Sequence, residues 1–207
     1  MIEISGADEL RALLGEPGRR SVTKEWASLH PYHRAWIEHA PFFVLATAGA
    51  DGTCDASPKG DPAGSVLVLD DRTIVLPERP GNRRADGYLN VLENPHVGVL
   101  FIVPGRGETL RVNGRARVIR DAPYFDRLIV RGHRPVLALH VEIEQVFFHC
   151  SKAFKRSGLW QPETWADPDE LPSPVRLAKD VAGATETVAE LEEHYGPSYD
   201  RRLYGPQ

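Results

Sequence analysis

Residues 76–98, "LPERPGNRRADGYLNVLENPHVG", decide the fold of this chain. The stretch begins and ends on apolar residues typical of strands, and a Pro-Gly-Asn turn with Arg79, Arg83 and Arg84 lies between them. Asp86–Glu93 predicts a helix that ends before a proline, because proline disfavours the helical conformation in the residue preceding it. Helix N-termini bind anions, and arginine forks match phosphate oxygens. The turn is therefore a candidate phosphate site, and a solvated surface loop is the alternative.

Antiparallel strands predominate around this stretch. Asp51 and Gly52 form a good hairpin turn between two β-rich segments, and a second hairpin turns at residues 70–72. Residues 109–121 alternate between an apolar face and a polar face that includes Arg111 and Arg117, as in a half-buried strand. The strand segments read "FFVLATAG", "ADGTCDAS", "GSVLVLDDRTIVLP", "HVGVLFIVP", "TLRVNGRARVIRD" and "RPVLALHVEIEQVFFHC". These six or seven strands, linked mainly as hairpins, predict a mainly β protein with a closed or partly closed barrel.

Flanking helices complete the predicted organisation. Helical segments are expected at residues 8–14, 32–39, 86–93, 122–130 and 185–195, with a short basic helix after Cys150. We expect the N-terminal helices within residues 1–40 to pack on a barrel formed by residues 41–150. Residues 151–207 add a basic segment with a tryptophan, a proline-rich connector and a helix. All three parts are expected to form one structural domain.

Composition excludes several functional classes. The 207-residue chain has a net charge of −4, which argues against a general nucleic-acid binder. Cys54 and Cys150 are far apart and have no metal-ligand spacing around them, so neither a zinc site nor a disulfide scaffold is expected. No apolar run approaches the roughly 20 residues of a membrane-spanning helix, and the N-terminus does not resemble a signal peptide. These features predict a cytoplasmic protein without a metal or a membrane partner.

Common catalytic signatures are also missing from the sequence. The G-x-S-x-G, H-E-x-x-H and Walker A patterns do not occur. His30, His33 and His39 cluster in sequence, but their spacing does not place all three on one helical face, so we interpret them as surface residues. No residue is therefore assigned as a catalytic acid or base.

Two further segments are candidates for ligand contacts. Residues 57–64, "SPKGDPAG", place Lys59 among small residues at the end of a strand, where a flat ligand can approach the backbone. An ordinary turn is the alternative for this segment. Trp160 follows Lys152 and Arg156, so its indole could cover an aromatic cofactor, anchor an interface or belong to the core.

Taken together and in this order, these segments resemble the pyridoxamine 5′-phosphate oxidase-like FMN-binding split-barrel family. The resemblance covers roughly residues 41–160. It is carried by "LAT" with "DGTCDASPKGD", then "RPGNRRADGYLNVLENPHVGVLF", "ETLRVNGRARV" and "HCSKAFKRSGLW". The set looks like a subgroup of FMN-dependent enzymes whose substrate is unknown. The resemblance implies an antiparallel split β-barrel of the FMN-binding type with flanking helices.

The resemblance also implies a homodimer with FMN in a groove between the two chains. The strand end at residues 57–60 and the neighbouring strand would line the flavin ring, the arginine-rich turn would hold the phosphate, and Arg111 would reach the flavin or the substrate. Lys152, Arg156 and Trp160 would come from the partner chain. The implied cofactor-binding residues are Ser57, Pro58, Lys59, Gly60, Leu76, Pro77, Arg79, Asn82, Arg83, Arg84, Arg111, Lys152, Arg156 and Trp160.

The sequence departs from the vitamin B6 oxidases of this family at two places. Those enzymes carry a Ser-Arg-Lys phosphate motif where this chain has Ala85, Asp86 and Gly87, and its basic residues lie further upstream. Their C-terminal arginine and histidine for the substrate are not found either. Oxidation of vitamin B6 itself is therefore not expected.

Four functions stay open on the sequence alone. The first is an FMN-dependent oxidoreductase that acts on a small molecule by hydride transfer, with NADH or NADPH as a candidate electron source. The second is a non-catalytic flavin store or sensor. The third keeps the barrel but binds a deazaflavin or haem. The fourth is a module that binds an acidic partner through the arginine-bearing face of residues 111–117 and holds no chromophore.

Overall fold

The computed structural model describes residues 1–205 of the chain. The strands are β1 (Phe42–Ala48), β2 (Cys54–Gly60), β3 (Leu67–Val68), β4 (Thr73–Pro77), β5 (His96–Ile102), β6 (Thr109–Ile119) and β7 (Ala138–His149). The helices are α1 (Ala7–Leu14), α2 (Arg19–Val22), α3 (Pro31–His39), α4 (Asp86–Glu93), α5 (Lys152–Ser157), α6 (Pro174–Asp180), α7 (Val188–His194) and α8 (Ser198–Arg201). Short 3-10 helices lie at Phe125–Leu128, Pro162–Thr164 and Pro168–Glu170.

The seven strands form one antiparallel sheet in the order β2-β1-β5-β6-β7-β4-β3. The predicted mainly β, antiparallel split-barrel fold is confirmed. On β1, Val44 lies opposite Pro58 on one side and Leu100 on the other. β4 pairs with β7, so that the hairpin of β3 and β4 joins the sheet at the end remote from β2.

The core fills the concave side of this sheet. On β6 the predicted alternation is confirmed: Leu110 and Val112 are fully buried, whereas Arg115 and Arg117 are exposed. α4 packs over the same cluster through the buried side of Tyr88 and Val91. Removing this apolar surface from water is the main contribution to stability, at roughly 25 cal/mol per Å².

Two ion pairs bring β2 and β4 together although they lie far apart in the strand order. Lys59 Nζ lies 2.6 Å from Glu78 Oε2, and Arg79 Nε lies 2.5 Å from Asp61 Oδ2. Lys59 belongs to β2 and Asp61 follows it, whereas Glu78 and Arg79 follow β4 directly. The sheet therefore curls into a barrel, and a groove remains at the split where these two strands approach.

The predicted helix over residues 122–130 is wrong in extent and type. Only the 3-10 helix Phe125–Leu128 forms there. Its first and last residues are both buried against Val75 and Ala138, in a small apolar cluster separate from the main core. Side chains three residues apart align in a 3-10 helix, so Phe125 and Leu128 both point into this cluster. Sequence analysis also missed α2, α6 and α8, and α7 is shorter than predicted.

Two further predictions concern membrane-spanning helices and the C-terminal residues. Among residues 1–205, no helix combines the length and the apolarity that crossing a membrane would require. Residues 206 and 207, which were included in the predicted C-terminal part, lie outside the described residues.

The interpretation of His33 as a surface residue is wrong, because its side chain is only 6% exposed. Its Nδ1 accepts a hydrogen bond of 3.1 Å from the backbone N–H of His30, and His30 in turn accepts one from Tyr32 N–H, which together cap α3. The His33 ring also packs against Phe148 and Trp26. Burial and the neighbouring His30 lower the pKa of His33.

This lowered pKa predicts a loss of stability at mildly acidic pH. Below the unfolded pKa of about 6.5 the unfolded chain binds a proton that folded His33 resists, so the free energy of unfolding falls as the pH drops through that value and towards the folded pKa. We expect His33→Asn, which keeps an acceptor but does not titrate, to flatten this dependence. Urea unfolding between about pH 7.5 and about pH 5 measures it. His39→Asn, on the exposed end of α3, is the matched control, and equal pH slopes for wild type and His33→Asn would contradict the prediction.

Candidate functional site

A groove of about 1030 Å³ opens at the split of the barrel. It lies between the end of β2, the loop after β4 and the first turn of α4, and residues 132–137 with Tyr204 and Gly205 form its remaining wall. Its volume lies near the upper end of the roughly 300–1,000 Å³ that small-molecule sites span. The groove is therefore large enough for a cofactor-sized ligand.

The structure brings most of the predicted cofactor residues together in this groove. The predicted residues that line it are Ser57, Pro58, Lys59, Gly60, Pro77, Arg79, Asn82, Arg83 and Arg84. Leu76 is only 2% exposed and belongs to the core. Of the two predicted residues on β4, Pro77 therefore lines the groove and Leu76 does not. Contact of these residues with a flavin stays a prediction.

The other four predicted residues do not line the groove of their own chain. Arg111 lies on the convex face of the sheet, with its guanidinium 4.3 Å from the centre of the Phe147 ring, and its Nε is a buried atom without a hydrogen-bond partner among residues 1–205. Trp160 donates from Nε1 to the Arg106 carbonyl at 2.8 Å. Lys152 and Arg156 lie on α5, close in sequence to this tryptophan.

The arginine-rich turn has an unusual backbone. Arg83 and Ala85 adopt φ values of 61° and 59°, in the left-handed region that few non-glycine residues occupy. Arg84 N–H donates to Asn82 Oδ1 at 3.1 Å, which fixes the turn, and Arg84 Nε donates to Asp86 at 2.8 Å, which raises the pKa of Arg84. The turn thus presents two adjacent guanidinium side chains at the mouth of the groove.

α4 begins at the groove without a side-chain cap. Ala85 precedes its first residue and has no side chain that can accept a hydrogen bond from the first turn. The first N–H groups of a helix have no intrahelical partner and carry a partial positive charge. Because residues 85–88 line the groove, this helix end adds anion-binding capacity beside the two arginines.

Arg79 serves a different purpose from the other two arginines. Its side chain is 12% exposed and donates to Asp61 Oδ2, to the Leu128 carbonyl at 2.8 Å and to the His133 carbonyl at 3.4 Å. These contacts tie the end of β4 to the loop that forms the far wall. Arg79 therefore positions the groove wall, because its pair with Asp61 is largely buried, whereas the pair of Arg84 with Asp86 is exposed.

A second polar cluster lies along the split. Glu78 Oε2 accepts hydrogen bonds from Lys59 Nζ and from the Tyr88 hydroxyl, and the ammonium of Lys59 lies 5.1 Å from the centre of the Tyr88 ring. Burial and the charge of Glu78 raise the pKa of Tyr88, so this phenol stays a hydrogen-bond donor. The Lys59 charge is thereby balanced within the protein.

Sequence analysis did not predict several polar side chains of the groove, among them Asp61, Glu78, Tyr88 and Tyr204. Glu78 and Tyr88 lie within residues 76–98, and Asp61 lies within residues 57–64, so the sequence analysis had singled out both segments. It did not predict the hydrogen bonds that these side chains form. No sequence signal pointed to Tyr204, which reaches the groove from the far end of the chain.

Comparison of the sequence with known protein families gives a match over the barrel. A family model described as pyridoxamine 5′-phosphate oxidase matches residues 29–150, which is more than half of the chain. The chain belongs to the pyridoxamine 5′-phosphate oxidase family. No curated protein matches it by sequence. The family match covers the barrel and the arginine-rich turn, but not the C-terminal helices.

Several solved structures are similar to this family member. A candidate pyridoxamine 5′-phosphate oxidase from Lactobacillus delbrueckii is 25% identical, with 60% of this chain and 99% of that chain covered and a TM-score of 0.48. An FMN-binding protein from Syntrophomonas wolfei is 14% identical over 56% and 88% of the chains, with a TM-score of 0.42. The haem storage protein HutZ from Vibrio cholerae is 17% identical over 57% and 93%, with a TM-score of 0.41.

Proposed function

We propose that this protein binds FMN in the groove and acts as a flavin-dependent oxidoreductase on a small molecule. The single observation that carries the proposal is the anion-binding arrangement at the groove mouth. There the uncapped start of α4 and the side chains of Arg83 and Arg84 meet. Helix N-termini and arginines together suit a phosphate dianion.

The remaining groove residues fit a flat ring attached to that phosphate. The end of β2 offers Ser57, Pro58 and Gly60, which present little side-chain bulk, and Pro77 faces them from β4. Small residues allow close approach of a planar ligand to the backbone. Lys59 is held by Glu78 at the same wall and supplies a donor close to the ring position.

We further propose a homodimer that completes the site. The convex face of β1 and β5 carries two apolar residues in register, Val44 and Leu100, next to Arg111 on β6. Phe42 on the same face is 37% exposed. Covering this face with a second copy would desolvate it. Lys152, Arg156 and Trp160, which stay outside their own groove, are then available to the groove of the partner.

When bound, FMN supplies hydride-transfer chemistry. The chain's own residues would hold the phosphate, orient the ring along β2 and restrict water, and NADH or NADPH is the proposed electron source. We place the protein in the cytoplasm, where these nucleotides occur. Cys54 and Cys150 are both exposed and unpaired, which suits a reducing compartment.

The visible absorption spectrum of the purified protein tests this function. Flavin bands, with FMN released on denaturation, are expected, or tight uptake of added FMN if the protein is isolated colourless. Oxidation of NADH or NADPH by the loaded protein would then separate an oxidoreductase from a flavin store. A Soret band would show that the bound group is haem and not FMN, and release of a deazaflavin would identify that cofactor instead. If the protein bound neither FMN, haem nor a deazaflavin, the remaining function would be the module that binds an acidic partner.

That last alternative has less support from the side-chain contacts. On the arginine-bearing face, Arg117 is paired with Glu142 at 3.1 Å, and Arg115 contacts His96. Part of the positive charge on this face is therefore balanced within the chain.

A further inference from the structure

Tyr204 enters the groove from the C-terminal segment. Its hydroxyl donates to Oδ1 of Asp61, whose other oxygen holds Arg79. Its ring stacks on His133, with the ring centres 5.5 Å apart and the planes inclined by 24°. The tyrosine is thus fixed at both its polar tip and its aromatic face, and Tyr204 and Gly205 line the groove together with the arginine-rich turn.

Two cations lie against the same ring. The guanidinium carbon of Arg131 is 5.5 Å from the ring centre of Tyr204, and that of Arg79 is 6.0 Å away. Cations at this distance are attracted by the aromatic quadrupole. These contacts add to those with Asp61 and His133 in holding the ring in place.

The position of the ring relative to the phosphate site follows from chain connectivity. Arg79 opens the same turn that carries Arg83 and Arg84, and Asp61 attaches Tyr204 to Arg79. The second polar cluster, Lys59 with Glu78, lies further along the split, two residues before Asp61 on the β2 side. Tyr204 and the turn proposed to hold the phosphate therefore line the same groove and are linked through Asp61 and Arg79.

We propose that Tyr204 is a specificity-determining residue that makes the groove selective for a mononucleotide flavin against flavins extended beyond the phosphate. This inference rests on the proposed function. A ligand with an adenylate, or with the acidic tail of a deazaflavin, needs space beyond the phosphate, and we infer that the Tyr204 ring occupies this space in the groove. Steric exclusion of a competing ligand is a common route to specificity.

The cations that contact the Tyr204 ring determine which ligand should bind more tightly when the ring is removed. Truncating Tyr204 would open space and remove the ring that contacts Arg131, whose guanidinium can then attract an anionic extension, whereas Arg79 stays held by Asp61. We therefore expect Tyr204→Ala to bind FAD more tightly while its affinity for FMN changes little. A purely structural role would weaken both ligands together.

Titration of wild type, Tyr204→Ala and Tyr204→Phe with FMN and with FAD, followed by flavin fluorescence, tests this inference. The preference for FMN over FAD should fall about tenfold or more in Tyr204→Ala, equivalent to about 1.4 kcal/mol. Tyr204→Phe keeps the ring and loses only the hydroxyl, so it should keep most of the preference. Tyr204→Ser is a second truncation with the same expected result, and circular dichroism checks that each variant is folded.

The outcomes separate the inference from the function on which it rests. An unchanged preference in both truncated variants, or equal losses of FMN and FAD, would overturn the role of Tyr204 while leaving FMN binding in place. Wild-type protein that binds no FMN would instead remove the proposed function, and the inference with it.

Discussion

Replacing Arg83 by asparagine and Arg84 by glutamine in one variant is expected to weaken FMN binding at least about 100-fold. Each charge-assisted hydrogen bond to a phosphate contributes on the order of 1.5–3 kcal/mol, so the loss of two is large. Asparagine is chosen at position 83 because it tolerates the left-handed backbone found there. Quenching of flavin fluorescence on titration measures the affinity.

Riboflavin is the matched ligand for this experiment, because it has the same ring and no phosphate. Its affinity should be the same in the double variant and in wild type. Replacing Arg19 and Arg20 of the exposed helix α2 by glutamine removes the same charge elsewhere and should leave FMN binding unchanged. If the double variant bound FMN as tightly as wild type, the phosphate would have to lie away from this turn.

Gly114→Ala is expected to lower the free energy of unfolding by about 3 kcal/mol, at the upper end of the usual cost of overpacking. A Cβ atom at Gly114 would lie 2.1 Å from the backbone carbonyl oxygen of Glu142. The partner atom belongs to the backbone of β7, so no side chain can rotate away. Gly114 also lies at the irregularity where β6 and β7 change register, which leaves the strands close together. Urea denaturation followed by circular dichroism gives the change.

Gly98→Ala on β5 is the control for this substitution. Its new Cβ would meet Asn113 Oδ1 at 3.4 Å and the Ala46 Cβ at 3.8 Å, both ordinary contacts. Its effect should stay within about 1 kcal/mol. Equal stabilities of the two variants would show that β7 can shift to accept the methyl group.

Most of the fold could be predicted because its strands carry local signals. The alternation along β6 and the Asp-Gly turn before β2 specify hairpins without reference to the rest of the chain. The 3-10 helix Phe125–Leu128 could not be separated from an α-helix, because two buried residues three apart satisfy both patterns. His33 was misjudged because its burial depends partly on Phe148, which is remote in sequence.

The sequence predicted many of the residues that line the groove, but not the hydrogen bonds and ion pairs that those residues form. Arg79, Arg83 and Arg84 look alike in the sequence, and only the fold shows that Arg79 is held by Asp61 and two carbonyl groups. The pairing of Lys59 with Glu78 depends in the same way on the curl of the sheet. Tyr204 could not be found, since a tyrosine near the end of a chain has no distinguishing pattern.

The curl of the sheet also fixes when the groove can exist during synthesis. The two ion pairs across the split join residues only 19 and 18 positions apart, yet β4 is held in place by β7, where Thr73 faces Glu142. A nascent chain that has emerged only as far as β6 contains the arginine-rich turn but lacks the strand on which β4 docks. The groove is therefore assembled late, because β4 can dock only after the part of β7 that pairs with it, up to Glu142, has been synthesised, and Tyr204 completes the wall later still.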